Sequence, residues 1–310
     1  MNLQQRKFEP GVVLNPPASL LGVRNAILSG KAKQHHVADF PGPLSIKTVV
    51  RGSAWWRTSE AERLVDGSNY LILNSGRSYS LTIDSRETVE TFCLFFRHGI
   101  VEDACRVEST DRTSLLDNPF SHSEGAGSNA PAEFLETLHA RDSIVSPVLQ
   151  KMYARVAGGT ATQAWLEDQF LEAATALYRV RGEVGKRAAK IPAKKSATRL
   201  ELYRRLLRGK DYMDSFFGAQ VHLAEVASEA CLSPYHFHRL FRQVFRETPN
   251  QYLQRKRLAN ARCLLERGEQ SVTDICLEVG FESITSFSGL FRRSFGCSPR
   301  EYRFRKNQSR

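Results

Sequence analysis

One short segment of the chain, SPYHFHRLFRQVF (233–245), carries polar side chains suited to hydrogen bonding with the edges of bases. Intervals of three and four residues separate them, so one helix face would present Tyr235, His238, Arg239 and Arg242. Arginine can bond guanine O6 and N7 together, histidine can bond a purine N7 or O6, and tyrosine can pack on a thymine methyl group. The spacing predicts base reading by the first three and phosphate binding by Arg242; the alternative is an ordinary solvated helix face.

The opposite side of this segment is apolar and predicts a buried stripe, and the whole pattern recurs fifty residues later. The matched pairs are Phe237 with Phe287, Leu240 with Leu290, Phe241 with Phe291, Phe245 with Phe295, Pro249 with Pro299 and Tyr252 with Tyr302. Upstream, LAEVASEACLS (223–233) resembles VTDICLEVGFES (272–283), which is one residue longer. Each copy therefore predicts a helix, a tight turn, a second helix and the start of a third.

Capping signals support these helix boundaries. A hydroxyl residue precedes a proline at Ser233-Pro234, Thr248-Pro249 and Ser298-Pro299, which is typical of a helix start. Ser271 and Asp274 have the spacing of a capping box. Gly280 suits the left-handed turn of a helix-turn-helix, whereas the first copy has Cys231 there, so its turn is less certain.

The second copy carries a poorer polar face, made of Thr285, Ser288, Gly289 and Arg292. We expect limited base reading by Thr285 and Ser288, with phosphate contacts from Arg292 and the adjacent Arg293. Glycine stands where the first copy has an arginine, which costs about 1 kcal/mol of helix propensity. The first copy is therefore expected to supply most of the sequence specificity.

A single long helix is predicted between the copies, over 251–266. It would space two helix-turn-helix motifs, at about 221–244 and 272–294, so that they enter successive major-groove segments about 34 Å apart. Lys256 on this helix is a further candidate phosphate contact. The apolar positions of both copies are interpreted as core.

The charge of the chain is concentrated in its last part. The net charge is +11, yet residues 181–310 contain 26 basic and 13 acidic residues, so the excess lies there. This distribution favours a polyanionic partner, although a solvated basic surface is an equal alternative on charge alone. No run of about 18 apolar residues and no secretory signal is present, and the six cysteines form no C-x-x-C, so we expect a cytoplasmic protein without a membrane segment.

The amino-terminal part predicts short strands. LSIKTVV (44–50), NYLIL (69–73), SYSLTI (78–83) and TVETFCLFF (88–96) are β-branched and aromatic, with glycine turns between them. They indicate a small β-sandwich or β-barrel domain over 1–130.

Helical spacing follows these strands. It includes Leu135 and Leu138, then Val148 and Met152, and predicts a helical packing or dimerisation segment over 131–184. The basic, proline-containing stretch 185–197 is interpreted as a linker to an all-α domain over 198–310. The predicted fold class is therefore α+β with two domains.

The segment ICLEVGFESITSFSGLFRRSFGCSPREYR (275–303) closely resembles the signature of the AraC/XylS transcriptional regulators, and the resemblance spans roughly 198–304. Residues 55–83, with the strand TVETFCLFF, resemble the cupin-type sensor half common in that family. The resemblance implies base contact at the positions of Tyr235, His238 and Arg239, a homodimer, and activation through RNA polymerase.

A cupin enzyme would need a metal site, and the H-x-H, Glu and distant His set is missing here. His35 and His36 are adjacent and would face opposite sides of a strand. No metal, cofactor or catalytic residue is expected. A barrel can instead hold one small effector, for which Trp55, Tyr70 and Tyr79 are the candidate residues; because Trp55 and Trp56 alternate, at most one of the pair faces inward.

These features together predict a sequence-specific, effector-responsive transcription activator that binds double-stranded DNA. Two alternatives stay open: a cupin-type enzyme fused to a DNA-binding module, and a non-specific architectural DNA-binding protein.

Overall fold

The structure is a computed structural model that describes residues 11–109, 132–268 and 270–308. The chain divides into two units, Met1–Lys186 and Arg187–Arg310, called here the amino-terminal and carboxy-terminal units.

Strands dominate the amino-terminal unit. Its described residues form a nine-stranded sheet made of β1 Val13–Leu14, β2 Ala26–Gly42, β3 Ser45–Lys47, β4 Val49–Arg51, β5 Ser53–Thr58, β6 Glu62–Asp66, β7 Asn69–Leu73, β8 Arg77–Phe95 and β9 Leu138–Ala140. β2 and β8 form the long antiparallel pair at its centre, from Ala26 opposite Phe95 to Gly42 opposite Arg77. The other edge of β8 pairs with β3, β4 and β5 in turn. The described strands β1 and β9 end the main strand path without pairing to each other, so the curled sheet is an open half-barrel.

Alternation along the strands divides the buried side chains between two clusters. On β7, Tyr70 and Ile72 belong to one cluster, whereas Leu71 and Leu73 belong to the other. The first cluster is completed by α1 Ile100–Ser109, α2 Ser146–Ala157 and α3 Gln163–Ala188. The second cluster lies on the opposite face of the sheet and consists mainly of strand residues, so we call this face the inner face of the half-barrel.

The strand predictions were confirmed for 69–73 but incomplete elsewhere. Residues 26–42 form β2, the main partner of β8, and were not predicted as a strand. The two predicted strands at 78–83 and 88–96 are one continuous strand, β8, whose pairing shifts register between Ala32 and Gln34 of β2. Leu138 lies in β9 and Leu135 in no regular element, so the predicted helical spacing was wrong at these two positions.

Helix α3 ends at Ala188 and the next helix begins at Ser196, so the first four residues of the predicted linker 185–197 are helical. None of the helices among the described residues is both long and apolar enough to cross a membrane.

The carboxy-terminal unit is helical throughout its described residues. Its helices are α4 Ser196–Ser215, α5 Leu223–Glu229, α6 Pro234–Phe245, α7 Pro249–Arg267, α8 Val272–Glu278, α9 Ile284–Phe295 and α10 Pro299–Gln308. The predicted caps are confirmed: the hydroxyls of Ser233, Thr248, Ser271 and Ser298 each accept a backbone N–H three residues ahead. Helices α5 and α6 form the first helix-turn-helix motif, and α8 and α9 form the second.

The sequence repeat is also a repeat of aromatic packing. Phe241 lies 4.4 Å from Phe245 and 5.6 Å from Tyr252 between ring centroids. In the second motif the corresponding distances from Phe291 are 4.5 Å to Phe295 and 5.6 Å to Tyr302. Each motif therefore holds its second helix against the following helix through the same aromatic cluster.

Candidate DNA-binding interface

Helix α6 presents the predicted polar face to solvent. Its apolar stripe is buried, with Phe237 and Phe241 both fully enclosed. The other side carries Tyr235, which is 77% exposed, together with the exposed Arg239 and Arg242 and the half-buried His238. The stripe fixes the rotation of the helix about its axis, so packing directs these four side chains outward.

The two arginines on this face are available to a partner. The guanidinium of Arg239 lies 5.9 Å from the ring centroid of Tyr235, a cation–π distance that aligns the two side chains. Within the described residues neither Arg239 nor Arg242 has an ion-pair partner. Their N–H donors can therefore bond base edges or phosphates without first breaking a salt bridge.

The turn between the two helices has the same backbone geometry in both motifs. Cys231 has φ 50° and Gly280 has φ 86°, so both lie in the left-handed region. The amide of Cys231 donates to the carbonyl of Ser228 over 2.9 Å, and that of Gly280 donates to Leu277 over 2.9 Å. The first motif therefore forms the turn despite its departure from glycine.

Helix α9 carries the second predicted face, which is exposed but short. Its N-cap Ser283 accepts from the amide of Ser286. Thr285, Arg292 and Arg293 are exposed and Ser288 is half-buried. A side chain at Gly289 would meet no atom within 4 Å, so in the described structure this part of the helix surface is open backbone.

One predicted phosphate contact, Lys256, is placed inside the unit instead. Its side chain is only 13% exposed, and its ammonium lies 3.9 Å from a carboxylate oxygen of Asp214. Asp214 also pairs with Lys210 over 2.7 Å and accepts from the Tyr252 hydroxyl over 2.7 Å. A phosphate contact by Lys256 would therefore compete with this ion pair, which charge and spacing on α7 do not reveal because the acidic partner comes from α4.

Opposite charges in this buried cluster stabilise one another. Burial alone would raise the pKa of Asp214, but the Lys210 and Lys256 ammonium groups outweigh it and hold the pKa below its usual value. Burial would likewise lower the pKa of Lys210, yet the Asp214 carboxylate raises it. Asp214 and Lys210 are therefore both charged near neutral pH, and the contacts of Asp214 with Lys256 and Tyr252 tie α4 to α7.

One further cation on the α6 side was not predicted. Arg246 is exposed at the C-cap of α6, four residues after Arg242, with φ 63°. The intervals from Arg239 to Arg242 and on to Arg246 continue the helical spacing, so Arg246 could have been predicted from the sequence as part of this face. On α7, two basic side chains already have partners within the protein. Arg255 pairs with Glu247 over 2.8 Å, and Arg257 donates to two carbonyl oxygens.

The carboxy-terminal part of the chain is similar to known proteins. Residues 226–305 match the family model of a helix-turn-helix domain. The chain is 41% identical over 92 residues to the HTH-type transcriptional activator RhaS of Klebsiella pneumoniae (strain 342), and 42% identical over 92 residues to RhaS of Escherichia coli O139:H28. Each match covers 30% of this chain and 33% of the relative. Over the matched residues the carboxy-terminal unit is similar to the AraC/XylS family, so we call it the AraC/XylS-type unit.

Two solved structures are similar to this chain over different lengths. An AraC-type transcriptional regulator from Chromobacterium violaceum is 30% identical, covers 34% of this chain and 93% of its own, and has a TM-score of 0.32. An apo form of a ToxT variant from Vibrio cholerae is 16% identical over 90% of this chain and 97% of its own, with a TM-score of 0.34. The chain spans about a third of the length of the curated relatives it matches, and the match lies in the AraC/XylS-type unit.

Outside the AraC/XylS-type unit, the predicted effector residues lie on different sides of the sheet. Tyr79 is on the inner face and lines a cavity there. Tyr70 is on the helix side, where it stacks on His139 and its hydroxyl donates to Asp142 over 2.6 Å. Trp56, not Trp55, is the buried tryptophan at the cavity, because the alternation of β5 turns Trp55 to the other face. The described residues contain no group of three or more His, Cys, Asp or Glu side chains placed to hold a metal ion.

Proposed function

We propose that this chain is a sequence-specific DNA-binding transcription regulator whose two helix-turn-helix motifs read adjacent major-groove segments. The observation that carries the proposal is the polar face of α6. Packing turns Tyr235, His238 and Arg239 outward together, and the AraC/XylS-type unit supplies the scaffold that presents such a face to DNA. The basic excess of residues 181–310 adds a sequence-independent attraction for phosphates.

The two motifs are expected to contribute unequally. Arg239 can make a bidentate contact with guanine, which is worth about 1–3 kcal/mol of discrimination against a wrong base. The second motif has Gly289 at that position, and its remaining donors, Thr285 and Ser288, are short. We assign the second motif mainly to phosphate binding through Arg292 and Arg293, and the first motif to most of the sequence reading.

The wider role of the protein follows the family. The matched relatives are named transcriptional activators, which favours activation through RNA polymerase at a promoter in the cytoplasm. The amino-terminal half-barrel is assigned to binding a small effector, and its helices α2 and α3 to pairing two copies of the chain. A ligand acts on DNA binding only if it binds one arrangement of the protein better than another. The proposal includes no catalytic step, and stoichiometric metal in the purified protein would favour a fused cupin-type enzyme instead.

The test is selection from a random DNA pool with the full-length protein, followed by binding measurements on the enriched site and on single-base variants. The Arg239→Ala variant should lose about 10- to 100-fold in affinity for the enriched site and lose discrimination at one base position. Arg255→Ala removes the same charge from the same unit, but from a side chain paired with Glu247, and serves as the matched control.

The outcomes separate the alternatives. An enriched site in two blocks about one helical turn apart would support reading by both motifs. Selection without any enrichment, with binding that vanishes as salt rises, would contradict the proposal and favour an architectural protein. Full discrimination retained by Arg239→Ala would contradict the role of the first motif.

A further inference from the structure

The inner face of the half-barrel lines a partly open cavity of about 480 Å³. This volume lies within the range of about 300–1,000 Å³ that is typical of small-molecule sites. Side chains from β2, β3, β5 and β8 line it, and most are apolar, including Trp56, Leu81, Ile83 and Phe95. All of the residues that line the cavity belong to the amino-terminal unit.

A lysine is buried in the wall of this cavity. Lys47 on β3 is only 1% exposed, and its ammonium donates to the hydroxyl of Tyr79 over 2.8 Å. The ammonium also lies 3.7 Å from the ring centroid of Phe95 and 4.2 Å from that of Tyr79. The aromatic rings stabilise a cation, but they do not neutralise it.

Among the described residues that line the cavity, no carboxylate accompanies this lysine. The residues that line the cavity include two further groups that can be cationic, Lys31 and His35, and none of the described lining residues is Asp or Glu. Lys31 has an exposed side chain and pairs with Glu90, so its charge is satisfied near solvent. Lys47 therefore carries the one charge that is both buried and without an ionic partner among the described lining residues.

An unpaired buried ammonium is costly, and its titration reflects that cost. Burial lowers the pKa of Lys47 to about 7, and the nearby Cys93 only partly opposes this. Burial in turn raises the pKa values of Cys93 and Tyr79, so both remain protonated at neutral pH and supply no negative charge. Near neutral pH Lys47 is thus partly neutral, and an anion beside it would restore its proton.

A second polar group in the wall of the cavity lacks a hydrogen-bond partner in the described structure. The indole nitrogen of Trp56 is buried and has no hydrogen-bond acceptor in the described structure. Such an orphaned donor is uncommon in a folded protein and indicates a site that is completed by something else.

We propose that this cavity binds a monocarboxylate with an apolar body, in which the carboxylate pairs with the Lys47 ammonium and accepts from the Trp56 indole N–H while the body packs against Leu81 and Ile83. One cation in an otherwise apolar cavity matches one negative charge. A dianion would leave a second charge buried without compensation, and a neutral polyol would leave most of its hydroxyl groups without partners. The inference gives a chemical class to the effector of the proposed function, but ligand binding itself requires no DNA.

The experiment is isothermal titration of the full-length protein, in the absence of DNA, with two pairs of compounds. Octanoate is compared with octan-1-ol, and 4-phenylbutanoate with 4-phenylbutan-1-ol. Each alcohol has the same apolar body as its carboxylate but lacks the negative charge. We expect each carboxylate to bind about 10- to 100-fold more tightly than its alcohol. The two pairs distinguish an aliphatic from an aromatic body.

The variant Lys47→Met removes the ammonium and keeps an unbranched apolar side chain of similar length. It should lose the preference for carboxylates while binding the alcohols at least as well as the unmodified protein does. Lys151→Met is the matched control, because Lys151 lies on α2 and pairs with Glu172 at the surface. Circular dichroism and the melting temperature verify that both variants fold.

A second readout does not depend on any variant. At pH 7.5 carboxylate binding should take up protons, so the measured enthalpy should change with the ionisation enthalpy of the buffer, and this dependence should vanish in Lys47→Met. His35 also lines the cavity, so proton uptake that persists in Lys47→Met would assign it to the histidine and contradict the proposal. Failure of all four compounds to bind, or equal affinity for acid and alcohol, would also overturn it. Since DNA binding is measured separately, neither result bears on the proposed regulator function.

Discussion

Exchanging residues at the tight turns of the two helix-turn-helix motifs should change stability in opposite directions. Both Cys231 and Gly280 have a left-handed backbone, with φ 50° and 86°. The perturbations are Cys231→Gly in the first motif and Gly280→Ala in the second. Their surroundings differ, because a Cβ at Gly280 would lie 2.7 Å from the carbonyl oxygen of Phe217 and 3.0 Å from the guanidinium of Arg257.

The expected magnitudes follow from these geometries. A non-glycine residue in the left-handed region costs about 1–2 kcal/mol, whereas glycine costs about 0.5–1 kcal/mol in lost freedom on folding. Cys231→Gly should therefore stabilise the unit by about 0.5–1 kcal/mol. Gly280→Ala incurs the backbone cost together with about 1–3 kcal/mol for the steric overlap, so it should destabilise the unit by about 2–4 kcal/mol.

Urea unfolding of the full chain measures both effects. Circular dichroism at 222 nm follows the helices of both units, most of which lie in the carboxy-terminal unit. Tryptophan fluorescence follows the amino-terminal unit alone, since Trp55, Trp56 and Trp165 all lie in it. The circular dichroism midpoint should rise for Cys231→Gly and fall for Gly280→Ala, with the fluorescence midpoint unchanged. A fall of more than about 0.5 kcal/mol for Cys231→Gly would refute the assignment of strain to this turn.

Three further predictions concern the carboxy-terminal unit. Asp214→Asn should destabilise it by about 3–5 kcal/mol at pH 7, because two buried ammonium groups lose their carboxylate. Because the pKa of Asp214 is lowered in the folded state, its contribution to stability is fully present above the ordinary pKa of an aspartate. The contribution is lost as the pH falls through the lowered pKa. The unfolding curves of the variant and the unmodified protein should therefore converge in acid. Gly289→Ala should stabilise the unit by about 1 kcal/mol, and a simultaneous loss of DNA affinity would show that DNA approaches the bare backbone there. Arg242→Met should reduce the slope of log K against log salt by about 0.9, whereas Lys256→Met should leave that slope unchanged if Lys256 serves only the buried cluster.

The carboxy-terminal unit could be predicted from the sequence because its signals are local. A capping hydroxyl such as Ser233 acts on an amide three residues ahead, so the pattern and its structural effect lie within one turn. The apolar spacing of α6 and α9 likewise fixes which face is buried without reference to other elements. What spacing could not supply was the partner of Lys256, because Asp214 is 42 residues away along the chain.

The amino-terminal unit was harder to predict from the sequence, because its structure depends on contacts between residues that are far apart along the chain. Strand β2 contains glycine, lysine and two adjacent histidines, and long-range pairing with β8 makes it a strand against its local composition. Alternation correctly indicated that only one of Trp55 and Trp56 faces inward, but it could not say which, because register depends on pairing. The buried Lys47 was missed because it lies within the apolar strand LSIKTVV, where its lack of a carboxylate partner is visible only after folding.

The two motifs show that scaffold and recognition are separable in this chain. The aromatic distances around Phe241 and Phe291 agree to within 0.1 Å for both shared contacts, so the second helix of each motif is held in the same way. The exposed residue two positions before Phe241 and Phe291 differs instead, since it is Arg239 in one motif and Gly289 in the other. Because the buried stripe sets the orientation and the exposed face sets the chemistry, placing an arginine at 289 should add a donor without disturbing the core. Gly289→Arg should therefore create a new base preference in the second half of the selected site, with stability equal to or above that of the unmodified protein. A selected site that is unchanged by Gly289→Arg would mean that this helix does not reach the base edges.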